Sequence, residues 1–313
     1  MTEATLTIGT RGSALALAQT ELVAGLLRDA HPELTVDLRR IVTRGDRHRN
    51  VALPEIGGKG LFTAELETAL LDGSIDLAVH SAKDLPTTMP DGLTLAAVPV
   101  REDPRDALIS RDRVGLSDLP DGAVVGTSSL RRQAQLRIHR PDLRFTVLRG
   151  NVDTRIRKVL DDGQCDATVL AMAGLRRVGL TDHVAEVLGF DVVLPAAGQG
   201  ALALQARADD DRVAALLAPI HHPPSHLALT CERQVVSALE GGCQAPLGVT
   251  AWIEAGRLLC RALVAGPHGH PQVRALADGP PTDPEAVAHQ LVGHLRDAGA
   301  DAILAACRRQ QDP

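Results

Sequence analysis

Three groups of residues in this 313-residue chain have types and neighbours suited to chemistry. The first is Cys243, set in Glu240-Gly241-Gly242-Cys243-Gln244-Ala245-Pro246, where two glycines and a proline predict a tight, accessible loop around a thiol. An accessible thiol is a nucleophile or a point of covalent attachment, whereas a buried one is only a small hydrophobe; the loop leaves both readings open. The second is Lys83-Asp84, placed where a strand empties into the polar segment Ser81-Ala82-Lys83-Asp84-Leu85-Pro86. A carboxylate beside a cation stays ionised near neutrality and can hold a developing positive charge, although a solvated Lys-Asp turn before a proline has the same sequence. The third is a set of arginines, Arg11, Arg131, Arg132, Arg149 and Arg155, that all fall at predicted strand–helix junctions. Guanidinium forks pair bidentately with carboxylates.

Charge distribution sharpens the third reading. The chain has a formal net charge of -6, yet between Thr127 and Lys158 nine Lys or Arg face two acids, Asp142 and Asp153. Local basicity within an acidic protein suits small anions better than a long polyanion. Arg137, Arg140 and Arg144 fit a solvated basic face better than a pocket. With three Phe, one Trp and no Tyr, the chain lacks the exposed rings on which single-stranded nucleic acid stacks, so no nucleic-acid partner is expected.

Other candidates fail. Gly57-Gly58-Lys59-Gly60 lacks the glycine spacing and the Ser or Thr of a phosphate loop. His221, His222 and His226 have no carboxylate or thiol at helical spacing to complete a metal site, and no metal is assigned. The five cysteines are scattered and odd in number, which suits reduced thiols in the cytoplasm. The start Met-Thr-Glu-Ala has no basic region followed by an apolar stretch, and no run of about 18 apolar residues occurs, so neither secretion nor a membrane partner is expected.

The elements that must position these residues alternate between strand and helix. A strand over 5–9 precedes a helix capped by Ser13 and running to Ala30, with Leu15, Ala18, Leu22 and Leu26 at helical spacing and Pro32 beyond its end. A strand over Leu34–Leu38, a helix over Thr63–Leu71 and a strand over Ile75–His80 follow. A second cycle begins with a strand at 123–126 and a helix at 130–139. Ile8-Gly9-Thr10-Arg11-Gly12-Ser13 and Val125-Gly126-Thr127-Ser128-Ser129-Leu130 share one plan, strand, Gly-Thr, small polar turn and helix, which predicts two lobes of similar build whose helix N-termini offer N–H groups to anions. Strands at 144–148 and 166–171 with a helix at 153–161 imply parallel sheets. The segment 194–205 reads as a return crossing, His221-His222-Pro223-Pro224 as a linker, and the rest as a separate unit: a helix over 225–239, strands near 247–255 and 257–265, and a helix near 283–298.

Eight segments in order carry a wider pattern: Thr43-Arg44-Gly45-Asp46, Gly57-Gly58-Lys59-Gly60-Leu61-Phe62, His80-Ser81-Ala82-Lys83-Asp84-Leu85-Pro86, Arg101-Glu102-Asp103-Pro104-Arg105-Asp106, Gly126-Thr127-Ser128-Ser129-Leu130-Arg131-Arg132, Leu148-Arg149-Gly150-Asn151-Val152, Pro195-Ala196-Ala197-Gly198-Gln199-Gly200 and Glu240-Gly241-Gly242-Cys243-Gln244. Together they resemble the porphobilinogen deaminase (hydroxymethylbilane synthase) family over nearly the whole chain. The resemblance implies an α/β fold of three domains: two lobes resembling bilobal periplasmic-binding-protein-like folds, over 1–103 with 200–220 and over 104–199, plus a small C-terminal α/β domain over 225–313. It implies a cytoplasmic transferase that deaminates four porphobilinogen molecules and links them head to tail into linear hydroxymethylbilane for porphyrin and heme biosynthesis. Cys243 becomes the thioether anchor of a dipyrromethane cofactor and Asp84 the catalytic carboxylate. Arg11, Arg131, Arg132, Arg149, Arg155 and Arg177 become the binders of acetate and propionate side chains, with Ser13, Lys59, Ser81, Lys83, Thr127, Ser128, Ser129 and Asn151 beside them. A monomer is implied, with transient contact to uroporphyrinogen-III synthase.

Two departures stand out: Gln205, where members of the family often have Glu, and Ala245, where a larger aliphatic residue is common. Two rivals use the same residues. A non-catalytic binder of dicarboxylates needs the arginines but not Cys243, and a cysteine hydrolase needs Cys243 with a histidine such as His80, for which no orienting partner is evident.

Overall fold

The computed structural model of the chain describes residues 5–47, 62–239 and 246–309. Contacts divide the chain into two compact units, one of residues 1–102 and 201–226, the other of residues 103–200 and 227–313.

The first unit is organised on β1 (Thr5–Thr10). Its Leu6 and Ile8 point to one side and are fully buried against Val23, Ala24 and Leu27 of the helix Ala14–Ala30. Ser13 starts that helix, its Oγ accepting from the Ala16 N–H at 3.2 Å. On the other side of the sheet Leu66 and Leu70 of the helix Ala64–Leu71 pack with Ile75, Ala78 and Leu93. Gly9 lies under that layer, and a Cβ there would collide with Ile75 Cδ1 and press on Leu66. With β2 (Thr35–Arg40), β3 (Leu77–Ser81), β4 (Leu93–Ala97) and β10 (Leu202–Arg207), the sheet order is β2-β1-β3-β10-β4. Strands β2 and β3 run parallel to β1, but β10 runs antiparallel to both β3 and β4. The expectation of parallel sheets therefore holds for β1, β2 and β3 and is corrected at β10. The fourth strand is not fed by a local crossover helix but arrives after the chain has passed through residues 103–200, which frees its direction.

The second unit repeats the arrangement with β5 (Asp106–Ser110), β6 (Val124–Gly126), β7 (Arg144–Thr146), β8 (Ala167–Ala171) and β9 (Glu186–Leu188). Its order is β7-β6-β8-β5-β9, again with the Gly-Thr strand second and the antiparallel strand fourth. Gly126 repeats the role of Gly9: a Cβ there would stand 2.7 Å from Cys165 Sγ and 2.9 Å from Leu148 Cβ. Close packing over the sheet, rather than a turn, is what demands glycine at the shared Gly-Thr position.

The same unit holds an antiparallel sheet of β11 (Leu247–Glu254), β12 (Arg257–Ala265) and β13 (Gln272–Gly279). On β12 the side chains alternate as a strand requires. Cys260, Ala262 and Val264 face the helices Pro284–Asp297 and Ala300–Arg309, while Leu263 and Ala265 join Ala134 of the helix Leu130–His139 and Leu194. Of the expected linker His221-His222-Pro223-Pro224, the two histidines form a short connection and the two prolines open the helix Pro223–Ala238. Proline is compatible with the first helical turn, where its missing N–H costs nothing, and His222 Nδ1 accepts the Ser225 N–H at 3.3 Å. No helix among the described residues is long and apolar enough to cross a membrane.

Candidate functional site

In the first unit β3 delivers the acidic candidate. The strand ends at Ser81 and passes into a 3-10 turn, Ala82–Asp84, anchored by buried Ala82, whose N–H reaches Ala201 O at 3.0 Å, and by buried Leu85. The turn leaves Asp84 exposed and Lys83 half-buried and partnered. Ser81 Oγ exchanges hydrogen bonds with the Gln19 amide, the shorter at 2.8 Å. His80, on the same strand, is buried against Gln205, Nε2 to Oε1 at 3.0 Å. Burial pushes its pKa down to about 4 against a weaker opposing pull from Gln205, so the imidazole is neutral at physiological pH.

Arg11 sits just beyond β1 and is already engaged. Its Nη2 and Nε donate to Asp46 at 2.7 and 3.1 Å, and its guanidinium lies 4.1 Å from the Phe62 ring centroid. Burial works against ionising Asp46, yet hydrogen bonds from Arg11 and Thr43 outweigh it and hold the carboxyl below its usual range. Arg11 is thus balanced one-to-one within its own unit.

An arginine pair in the second unit is not balanced in this way. Arg131 and Arg132 lie in the first turn of the helix Leu130–His139, each only 6 % exposed, and both reach Asp106 at the start of β5, which is fully buried. Arg131 Nη1 donates to Asp106 Oδ2 at 2.9 Å and to Leu194 O at 2.6 Å. Arg132 donates from Nη2 to Oδ1 at 2.7 Å and from Nε to Oδ2 at 3.2 Å. Gln199 Nε2 completes the carboxylate's coordination at 2.8 Å. Burial raises the cost of charge on Asp106, but the two guanidiniums overwhelm it and keep the carboxyl far below its usual range. Two cations therefore share one anion.

The hydroxyls expected to bind ligand also serve the backbone. Ser129 Oγ accepts the Arg132 N–H at 3.4 Å as the helix cap, Thr127 Oγ1 accepts the Ser129 N–H at 3.2 Å, and Ser128 Oγ donates to Leu148 O at 3.5 Å. A capping hydroxyl such as Ser129 still has its own proton to donate to an anion. Asn151 occupies the cap position of the helix Val152–Leu160 without a side-chain capping bond. Arg155 Nε donates to Gly150 O at 2.7 Å, Arg177 Nη2 to Gly200 O at 2.6 Å, and Arg149 is likewise partnered. Cys243, Lys59 and Ala245 lie outside the described residues. The other four cysteines, Cys165, Cys231, Cys260 and Cys307, are all buried, and burial raises the Cys165 and Cys307 thiols above their usual range.

Asp106 and Gln199 are the residues the sequence reading did not single out, although both stand in quoted motifs. The signal was a charged residue opening an apolar run, Asp106-Ala107-Leu108-Ile109, together with a surplus of arginines elsewhere.

The chain matches known proteins along most of its length. The family model "Porphobilinogen deaminase, dipyromethane cofactor binding domain" matches residues 6–215, and "Porphobilinogen deaminase, C-terminal domain" matches 226–297. Curated relatives named porphobilinogen deaminase include those of Roseiflexus castenholzii, 50% identical over 96% of this chain and 98% of that protein, and Desulforudis audaxviator, 51% identical over 96% and 97%. Among solved structures, the chain is similar to the aliphatic sulphonate binding protein SsuA of Escherichia coli (16% identity, 75% of this chain and 70% of that one, TM-score 0.39) and to the BenM effector binding domain (15%, 77% and 96%, 0.41). With one family's models matching both segments and its members sharing half of the residues end to end, the chain belongs to the porphobilinogen deaminase family.

Proposed function

We propose that the chain is a hydroxymethylbilane synthase, a transferase of porphyrin and heme biosynthesis that deaminates porphobilinogen, links four molecules head to tail and releases linear hydroxymethylbilane. The observation that carries this is the buried pair Arg131–Arg132 sharing the single carboxylate of Asp106, within the segment matched by the cofactor-binding family model. Burying an unbalanced cation is costly unless an anion completes it, so this cluster is suited to a ligand rich in carboxylates. Porphobilinogen and a dipyrromethane made from it carry an acetate and a propionate on every ring.

The residues fit a covalent dipyrromethane. The resemblance makes Cys243 the anchor, and the buried state of the four described thiols supports that reading. Arg131, Arg132, Arg149, Arg155 and Arg177, with Thr127, Ser128, Ser129 and Asn151, would hold its side chains. The same groups, together with Arg11, Ser13, Lys59, Ser81 and Lys83, would take the carboxylates of the incoming ring. When bound, the cofactor supplies a tethered, nucleophilic pyrrole carbon as primer. Each charged hydrogen bond to a ring carboxylate contributes about 1.5–3 kcal/mol.

Asp84 does the proton and charge work. As the C–N bond of porphobilinogen breaks, the electron pair leaves on nitrogen as ammonia, and the carboxylate steadies the azafulvenium cation that remains. That charge exists only along the reaction path, so stabilising it lowers the barrier instead of merely tightening binding. After the new carbon–carbon bond forms, the same carboxylate takes the proton released from the pyrrole carbon. We assign the work to a monomer in the cytoplasm, divided into lobes 1–103 with 200–220 and 104–199 and a domain 225–313, which passes its product to uroporphyrinogen-III synthase.

Intact mass tests the reading. Purified protein should exceed its sequence mass by two linked pyrrole units, and Cys243→Ser should return the bare value and lose activity. Active wild-type protein without an adduct overturns covalent priming.

A further inference from the structure

We propose that Asp106 is a positioning residue for ligand carboxylates: it sets the two guanidiniums of Arg131 and Arg132 in one fixed arrangement and leaves the cluster one positive charge in excess. The inference rests on the functional reading above and adds to it a residue that touches neither substrate nor primer.

The geometry carries the argument. Asp106 opens β5 with its side chain fully buried, and β5 is locked on both edges, pairing with β8 at Asp106↔Ala171 and with β9 at Asp106↔Leu188. The carboxylate is thus fixed by a strand that cannot shift without breaking two ladders. Each of its oxygens takes one donor from Arg132, and Oδ2 also takes Arg131 while Oδ1 takes Gln199. Arg131 is further pinned by Leu194 O, which also accepts from Gln135 Nε2 at 3.0 Å. Two adjacent guanidiniums repel, and without a shared anion their long side chains would adopt separate rotamers. Asp106 removes that freedom in advance, so a ligand carboxylate meets cations already oriented, which is the general route by which preorganisation raises affinity.

Charge counting separates this from simple structural pairing. Among the described residues, the ion pairs of this cluster are Arg131 with Asp106 and Arg132 with the same carboxylate. A structural ion pair of the usual kind would be neutral, as Arg11 with Asp46 is in the first unit. Here, among the described residues, one positive charge is left over in a buried cluster, and a ligand carboxylate is what would complete it.

The test compares wild type, Asp106→Asn and Asp106→Glu by thermal midpoint, by the fraction of molecules whose intact mass includes the dipyrromethane, and by KM and kcat for porphobilinogen. Asp106→Asn removes the charge and should lower the midpoint by roughly ten degrees and leave most molecules without the adduct. Asp106→Glu keeps the charge and should keep the midpoint within a few degrees, yet its extra methylene displaces both forks. In that variant KM should rise roughly 10- to 100-fold, the equivalent of one charged hydrogen bond, with a smaller change in kcat. An Asp106→Glu protein with wild-type midpoint, loading and KM overturns the proposal, as does failure of both variants to fold, which would leave Asp106 with stability alone. Wild-type protein that neither carries an adduct nor consumes porphobilinogen sinks the functional reading instead.

Discussion

Three aspartates of this chain show how one side chain acquires three uses from its surroundings. Asp46 is spent on Arg11 and Thr43, Asp106 on two arginines and Gln199, while Asp84 ends a 3-10 turn and stays exposed. Of the three, only the last can meet a reacting group without first breaking an ion pair, which suits the catalytic role proposed for it from the family resemblance. Its exposure also makes it separable from stability, since surface substitutions away from special contacts change folding by about 0.5 kcal/mol or less. Asp84→Ala should therefore melt like wild type and lose roughly 10²- to 10⁴-fold in kcat, with KM changed far less. Asp84→Glu should recover part of the rate. Steady-state kinetics beside a thermal melt decides the matter, and near-normal kcat in Asp84→Ala removes the residue from its role.

At the scale of the element, β3 and β10 pair antiparallel and place His80 opposite Ala203, with its ring on Gln205. His80 is buried and its pKa lies near 4 against an ordinary 6.5, so the unfolded chain takes up its proton first as the solution is acidified. Stability from this group is complete above about pH 6.5 and is lost as pH falls toward 4, amounting to about 3 kcal/mol across that window. His221 and His226, also pushed down by burial, add in the same direction. Gln205→Glu would give the imidazolium a buried partner, so the midpoint difference between pH 7 and pH 4.5 should shrink; an unchanged difference in thermal melts at both pH values excludes the pair as its source. Elements like these were unevenly legible. The helix Ala14–Ala30 could be read because its cap, Ser13, and its apolar spacing are local, and the helix Leu130–His139 because the Gly-Thr turn before it repeats the same plan. Strand β5 could not, because it opens on a charged residue, and the arginines that make Asp106 tolerable there lie 25 and 26 positions away.

For the whole molecule, the repeated Gly-Thr turn announced two similar sheets, and the arrangement of both, with an antiparallel fourth strand, is visible only in three dimensions. What the repeat could not reveal is that the fourth strand of each sheet is the first one formed after the chain changes unit: β5 follows the passage at residue 102, and β10 follows the return at residue 200. In the first unit that strand is central, lying between β3 and β4, and it contributes Leu202, Leu204 and Ala206 to a core that Val213 and Leu217 of the helix Asp211–Leu217 complete. Residues 1–102 alone would leave β3 and β4 without a shared partner and expose the apolar face around Leu6, Ile8 and Val79 to water. Burying each large aliphatic side chain contributes about 1.5–3 kcal/mol, and losing several exceeds the total stability of an ordinary domain. A fragment of residues 1–102 should therefore show no cooperative thermal transition and should bind a hydrophobic dye. Joining residues 201–226 to it through a flexible Gly-Ser linker should restore a single transition, because the cost of closing such a loop grows only slowly with its length. A cooperatively melting 1–102 fragment would show that β10 is an ornament of this sheet and not its keystone.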